Sequence, residues 1–112
     1  MKFPNAQRAV VSRKKIEDYL LNPAHPDNGG KAEFFTQLGF RRNRWEVLAA
    51  ALKALVENDQ VTIATESPHG KKYIIVGRIQ SPGGKTPLVQ TIWIVDKEMG
   101  AARLVTAYPG KN

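Results

Sequence analysis

Asn43-Arg44-Trp45-Glu46-Val47-Leu48-Ala49-Ala50-Ala51-Leu52-Lys53-Ala54-Leu55-Val56-Glu57-Asn58 divides the chain into two halves of different character. Within it Trp45, Leu48, Ala49, Leu52, Leu55 and Val56 recur at helical spacing, which predicts a long amphipathic helix over residues 43–58. Downstream, Val61 to Thr65, Lys72 to Gln80, Leu88 to Val95 and Arg103 to Tyr108 are rich in β-branched and aromatic residues. Ser-Pro-His-Gly, Ser-Pro-Gly-Gly and Glu-Met-Gly punctuate them, so four strands joined by short loops predict an antiparallel meander.

Upstream, Ser12 is a good N-cap, and Ile16, Tyr19 and Leu20 fall on one face of a short helix whose other face carries Arg13, Lys14, Glu17 and Asp18. Asn22-Pro23 stops it, because proline bars its predecessor from the helical region. Ala32, Phe34, Phe35 and Leu38 give a second short helix closed by Gly39, and Ala9-Val10-Val11 reads as an edge strand or a cover for the core. Helices first and strands second is the α+β pattern: residues 1–59 mainly helical, residues 60–112 an antiparallel sheet, with the helices packed on one face as a single domain over 1–112.

A length of 112 residues suits one core. The absence of cysteine excludes disulfides, a thiolate nucleophile and thiolate zinc sites, and two histidines with few clustered carboxylates give poor support to a metal site, so neither metal nor cofactor is expected. The formal charge is +7, with 10 basic against 7 acidic residues up to Asp59 and 7 against 3 afterwards. Such a spread excess favours a folded cationic surface and a polyanionic partner, most simply nucleic acid. Neither a signal-peptide h-region nor a run approaching the ~18 apolar residues of a membrane span occurs, so no membrane partner and a cytoplasmic location are expected.

Chemistry concentrates at Leu20-Leu21-Asn22-Pro23-Ala24-His25-Pro26-Asp27-Asn28-Gly29-Gly30-Lys31. Two prolines stiffen the connection that carries His25, and Lys31 follows at a helix start. RNA is cleaved without a metal when one group removes the ribose 2′-hydroxyl proton, another protonates the leaving 5′-oxygen and a cation stabilises the phosphate. Histidine suits proton transfer because its unperturbed pKa is ~6.5, and lysine or arginine suits the third role. The bland alternative for His25 is a loop cap. Gly29-Gly30-Lys31 is no P-loop, since position 25 is His and position 32 is Ala.

His69 is a turn histidine or a second proton-transfer group, Arg78 a snorkelling strand residue or a phosphate ligand. The cluster Arg41-Arg42-Asn43-Arg44 is a solvated helix start or a substrate-binding edge that tracks phosphates. Trp45 reads as core, Trp93 as core or a stacking platform for a base. Strand alternation puts Thr91 and Trp93 on one face of their strand and Thr106 and Tyr108 on one face of the next. If the register pairs those faces, the four residues form one polar-aromatic patch, with Thr91 and Thr106 facing His25 and Lys31 across a groove.

The run Tyr19 to Pro26, then Gly30-Lys31-Ala32 and Phe34-Phe35, with Lys2-Phe3-Pro4-Asn5-Ala6 at the start and Leu104-Val105-Thr106-Ala107-Tyr108 at the end, resembles a bacterial domain family of uncharacterised function. The same helix, His-Pro corner and Lys-Ala-x-x-Phe layout occurs in C-terminal toxin domains of polymorphic and contact-dependent toxins, grouped with the barnase, EndoU and colicin D-like ribonuclease fold. That resemblance implies N-terminal helices, a four-stranded antiparallel sheet and an active site in the cleft between them. It implies His25 and Lys31 as catalytic residues, and Thr91-Ile92-Trp93 is similar to the Ser-x-Trp strand element of colicin D. The chain departs from colicin D in lacking a tight lysine cluster around the histidine. It departs from EndoU-type enzymes in that His69 alone could be a second histidine.

The expectation is therefore a metal-independent, toxin-like endoribonuclease acting on tRNA or other RNA. His25, Lys31, Thr91 and Thr106 would be catalytic, and Arg78, Trp93, Tyr108, Arg41 and Arg42 would bind substrate. A small acidic antitoxin or immunity protein would match the positive surface. A housekeeping nuclease, or a non-catalytic nucleic-acid-binding or protein-interaction module with a structural His25 loop, fits the same residues.

Overall fold

Four strands, β1 (Ile63–Ser67), β2 (Gly70–Arg78), β3 (Leu88–Asp96) and β4 (Ala102–Pro109), pair antiparallel in the order β1-β2-β3-β4. The computed structural model describes residues 8–58, 63–68, 70–96 and 100–110. Upstream lie α1 (Arg13–Lys15), continued by a π-helical turn Ile16–Leu20, then α2 (Lys31–Gln37), a 3-10 turn Arg42–Arg44 and α3 (Trp45–Asn58). The architecture is the α+β meander that the sequence predicts. Residues 61 and 62, expected to begin the first strand, lie outside the described residues.

One face of the sheet carries Tyr73, Ile75, Val89, Trp93, Leu104 and Ala107, all buried against Ile16, Leu20, Phe35, Phe40, Leu48 and Leu52 of the helical half. Trp93, Phe35 and Phe40 are almost wholly buried, so truncating any one to alanine is expected to cost about 3–5 kcal/mol. The opposite face presents Ile74, Val76, Gln90, Ile92 and Ile94, each half-buried.

The first helix departs from its prediction. Ser12 caps it as expected, its Oγ accepting from Lys15 N at 3.1 Å, but after Lys15 the winding widens and Leu21 N donates to Ile16 O at 2.8 Å. The wider turn lets Ile16, Leu20 and Leu21 all enter the core, which a regular helix would spread over too wide an arc. Gly39 ends α2 with φ 101°, and Gly39 N to Thr36 O at 3.0 Å with Phe40 N to Phe35 O at 3.2 Å is a Schellman closure. A Cβ there would stand 3.0 Å from Pro82 Cβ, so both conformation and space call for glycine.

Val10 forms a parallel bridge with Arg103, its N–H donating to Ala102 O at 2.8 Å and its carbonyl accepting from Leu104 N at 3.0 Å. That short edge piece covers only the first part of β4. Beyond it the register shifts: Trp93 pairs with Leu104, Ile92 with Thr106 and Thr91 with Ala107, which leaves Val105 as an extra residue.

This register corrects the expected patch. Thr91 pairs with buried Ala107, while Thr106 and Tyr108 pair with Ile92 and Gln90 of the other face. Thr91 is fully buried, its Oγ1 donating to Ile75 O at 2.9 Å and accepting from Trp93 Nε1 at 2.8 Å. Thr91 and Trp93 thus satisfy one another inside the core and line no groove.

Candidate functional site

Tyr19 sits on the π-helical turn, half-buried, where β4 meets the His25 corner. Leu104 and Ala107 are both buried with two residues between them, so the bulge turns Val105 and Thr106 outward together. The Tyr19 hydroxyl shares a 2.8 Å hydrogen bond with Thr106 Oγ1. The His25 ring stands edge-on to the Tyr19 ring, centroids 5.0 Å apart at 67°. Lys15 Nζ lies 5.1 Å and Lys31 Nζ 5.6 Å from the Tyr19 centroid, both within cation–π range.

Tyr19, His25, Lys15 and Thr106 border an open pocket of about 680 Å³, lined also by Ser12, Lys14, Asp18, Asp27 and Val105. Imidazole, two hydroxyls and ammonium groups in one concavity can transfer a proton and donate hydrogen bonds to an oxyanion. Among the described residues, no group of three or more His, Asp or Glu is placed to hold a metal ion.

The corner is built by its own hydrogen bonds. Asn22 Oδ1 accepts from Ala24 N at 3.0 Å, His25 N donates to Asn22 O at 3.1 Å, and Asn28 N donates to His25 O at 3.0 Å. His25 Nδ1 accepts the Asp27 N–H at 3.0 Å, so Nε2 is the ring nitrogen left for a ligand, and it carries the proton of the neutral ring.

Asn28, 3% exposed, ties the corner to both helices. Its Nδ2 donates to Tyr19 O at 2.6 Å and Leu20 O at 3.4 Å, and its Oδ1 accepts from Ala32 N at 2.9 Å. Its carbonyl accepts from Lys31 Nζ at 3.0 Å, and Asp27 O accepts from the same ammonium at 3.3 Å. One buried amide thereby fixes the backbone that carries Tyr19, His25 and Lys31.

Of the expected site residues, the structure brings His25 and Thr106 together in the pocket, while Lys31 reaches the Tyr19 ring without lining it. Tyr108 lies on the outer face, where Gln90 Nε2 donates to its hydroxyl. Arg78 Nη1 donates to Thr86 O at 2.9 Å and clamps the β2–β3 hairpin. Arg41 Nη1 donates to Thr36 O at 2.9 Å and Phe40 O at 3.0 Å, and Arg42 faces Asp18 at 4.0 Å. His69 lies outside the described residues.

Tyr19, Lys15 and Asn28 were not singled out by the sequence as site residues. The available signal was a tyrosine where the helix face asked for an aliphatic residue, with a lysine four positions earlier on the same face.

Fold and pocket together define a small α+β domain with a histidine-bearing edge pocket lined by two lysines and two aspartates. The chain belongs to a domain family of unknown function, DUF6883, whose model matches residues 2–111. No protein of curated function matches the sequence. The fold is similar to that of a chain in a contact-dependent growth inhibition toxin–immunity protein complex from Klebsiella pneumoniae 342. The TM-score is 0.75 at 19% identity, over 96% of this chain and 97% of that one.

Proposed function

We propose that this domain is a toxin-like endoribonuclease that cleaves RNA, tRNA included, by metal-independent transphosphoesterification. The observation that carries the reading is the convergence of His25, Tyr19, Thr106 and Lys15 on one pocket of a chain with formal charge +7. Water takes the proton of the ribose 2′-hydroxyl as the 2′-oxygen attacks the adjacent phosphorus, the P–O5′ bond breaks, and O5′ takes the proton carried by His25 Nε2, which the ring regains from solvent. The products are a 2′,3′-cyclic phosphate and a 5′-hydroxyl end.

His25 Nε2 is the proton-transfer atom. The hydrogen-bonded Tyr19–Thr106 pair donates its one remaining hydroxyl proton to a non-bridging phosphate oxygen, and Lys15 and Lys31 supply positive charge as the phosphorane forms. Arg41 and Arg42 contact the strand outside the pocket. The likeness to a chain of a toxin–immunity complex supports an acidic immunity or antitoxin protein as a partner, seated where it keeps RNA from the cationic surface.

Purified protein incubated with total tRNA in EDTA is expected to leave cyclic phosphate ends, and His25→Ala to lose on the order of 10²-fold or more in rate. No cleavage by the wild type, or unchanged cleavage by His25→Ala, defeats the reading.

One observation favours a second reading, a non-catalytic nucleic-acid-binding module. The Asp27 N–H contact occupies His25 Nδ1, and double protonation of the ring requires that contact to open. On this reading His25→Ala lowers the melting temperature and leaves salt-sensitive RNA binding in place.

A further inference from the structure

A second concavity, of about 420 Å³, lies beside the 3-10 turn Arg42–Arg44, with Phe40, Val47 and Pro82 as its apolar surface and Arg41, Arg44 and Gln80 at its polar rim. It shares no lining residue with the Tyr19 pocket, but the turns beside the two are in contact. The π-helical turn packs on the 3-10 turn, and Arg42 Nη2 stands 4.0 Å from Asp18 Oδ1 of the first pocket. Arg42 thereby offsets a carboxylate that would repel an anionic strand crossing from one pocket to the other.

Two features fit the second pocket to a nucleotide. Arg41 has Nη1 anchored on the closing carbonyls of α2, which orders its guanidinium, while the Arg44 side chain makes no hydrogen bond or ion pair to another described residue and is exposed. An apolar surface of Val47 and Pro82 with arginines beside it gives a base an apolar contact and a guanidinium to stack on, and gives a phosphate a cation.

Resting on the ribonuclease reading, we infer that this pocket is a distal RNA subsite: a single strand leaves the Tyr19 pocket, crosses the Arg42–Arg44 turn and seats a nucleotide against Val47 and Pro82 beside Arg44. The substrate is then a single-stranded segment several nucleotides long. A dinucleotide is too short to reach both pockets.

The test is binding of 2′-O-methyl RNA, in which the attacking hydroxyl is blocked, measured by anisotropy with a dinucleotide and with a strand of about eight nucleotides. The wild type is expected to bind the longer strand at least about tenfold more tightly. Arg44→Ala removes most of that gain and lowers the slope of log K against log salt by about 0.7. Equal binding of both lengths by the wild type, or an Arg44→Ala protein with undiminished affinity for the longer strand, overturns the inference.

Unmodified RNA run in parallel separates the two claims. Length-dependent binding without cleavage upholds the distal subsite and removes the nuclease. Cleavage indifferent to Arg44 removes the subsite alone.

Discussion

At the scale of single residues, Tyr19 and Asn28 carry the site and Thr91 carries the core. Tyr19→Phe keeps the ring that His25 and Lys15 pack against but removes the bond to Thr106, a loss of about 1 kcal/mol in urea unfolding. On the proposed chemistry it also slows cleavage, and Thr106→Val in the same background should then add little, because the two hydroxyls act as one unit. Asn28→Ala leaves the Tyr19 and Leu20 carbonyls without their amide donor and is expected to destabilise by about 2–3 kcal/mol. Thr91→Val strips the Trp93 indole N–H of its buried acceptor, and its expected signature is a fall in stability of about 1–3 kcal/mol. Loss of cleavage with full stability would instead place Thr91 at the pocket.

At the scale of elements, what the sequence made legible followed from periodicity. Leu48, Leu52, Leu55 and Val56 at helical spacing are the buried residues of α3, and the strand runs pair in simple order. Strand faces were legible one strand at a time. Their mutual register was not, because one extra residue at Val105 exchanges the faces of β4 relative to β3, and nothing in Leu104-Val105-Thr106-Ala107 announces a bulge. The π-helical turn was hidden for a related reason: Ile16 and Leu20 satisfy the ordinary helical period, and only the burial of Leu21 as well calls for wider winding. Gly39 was legible because a glycine after a helical run has a specific conformational use. Gly39→Ala is expected to cost more than about 1 kcal/mol, read from the urea midpoint, since the left-handed φ and the Pro82 contact both oppose a methyl group.

At the scale of the whole molecule, the chain joins a helical half that supplies His25, Tyr19 and Lys15 to a sheet whose last strand supplies Thr106, and the pocket lies where they meet. The histidine and lysine were legible from the Pro-flanked corner. Thr106 was named as well, although its companion Thr91 falls in the core because the register differs, whereas Tyr19 and Lys15 were not singled out. On the proposed function, the +7 charge predicts RNA binding that weakens steeply with salt, each phosphate-binding cation replaced by alanine lowering the slope of log K against log salt by about 0.7. The central claim is that the Tyr19 pocket cuts RNA by proton transfer at His25. Total tRNA incubated in EDTA with the wild type, with His25→Ala and with Tyr19→Phe, each first shown to be folded, tests it most directly. Cyclic phosphate ends from the wild type, with both variants strongly impaired, is the predicted result; intact tRNA throughout, or cleavage that survives His25→Ala, would contradict it.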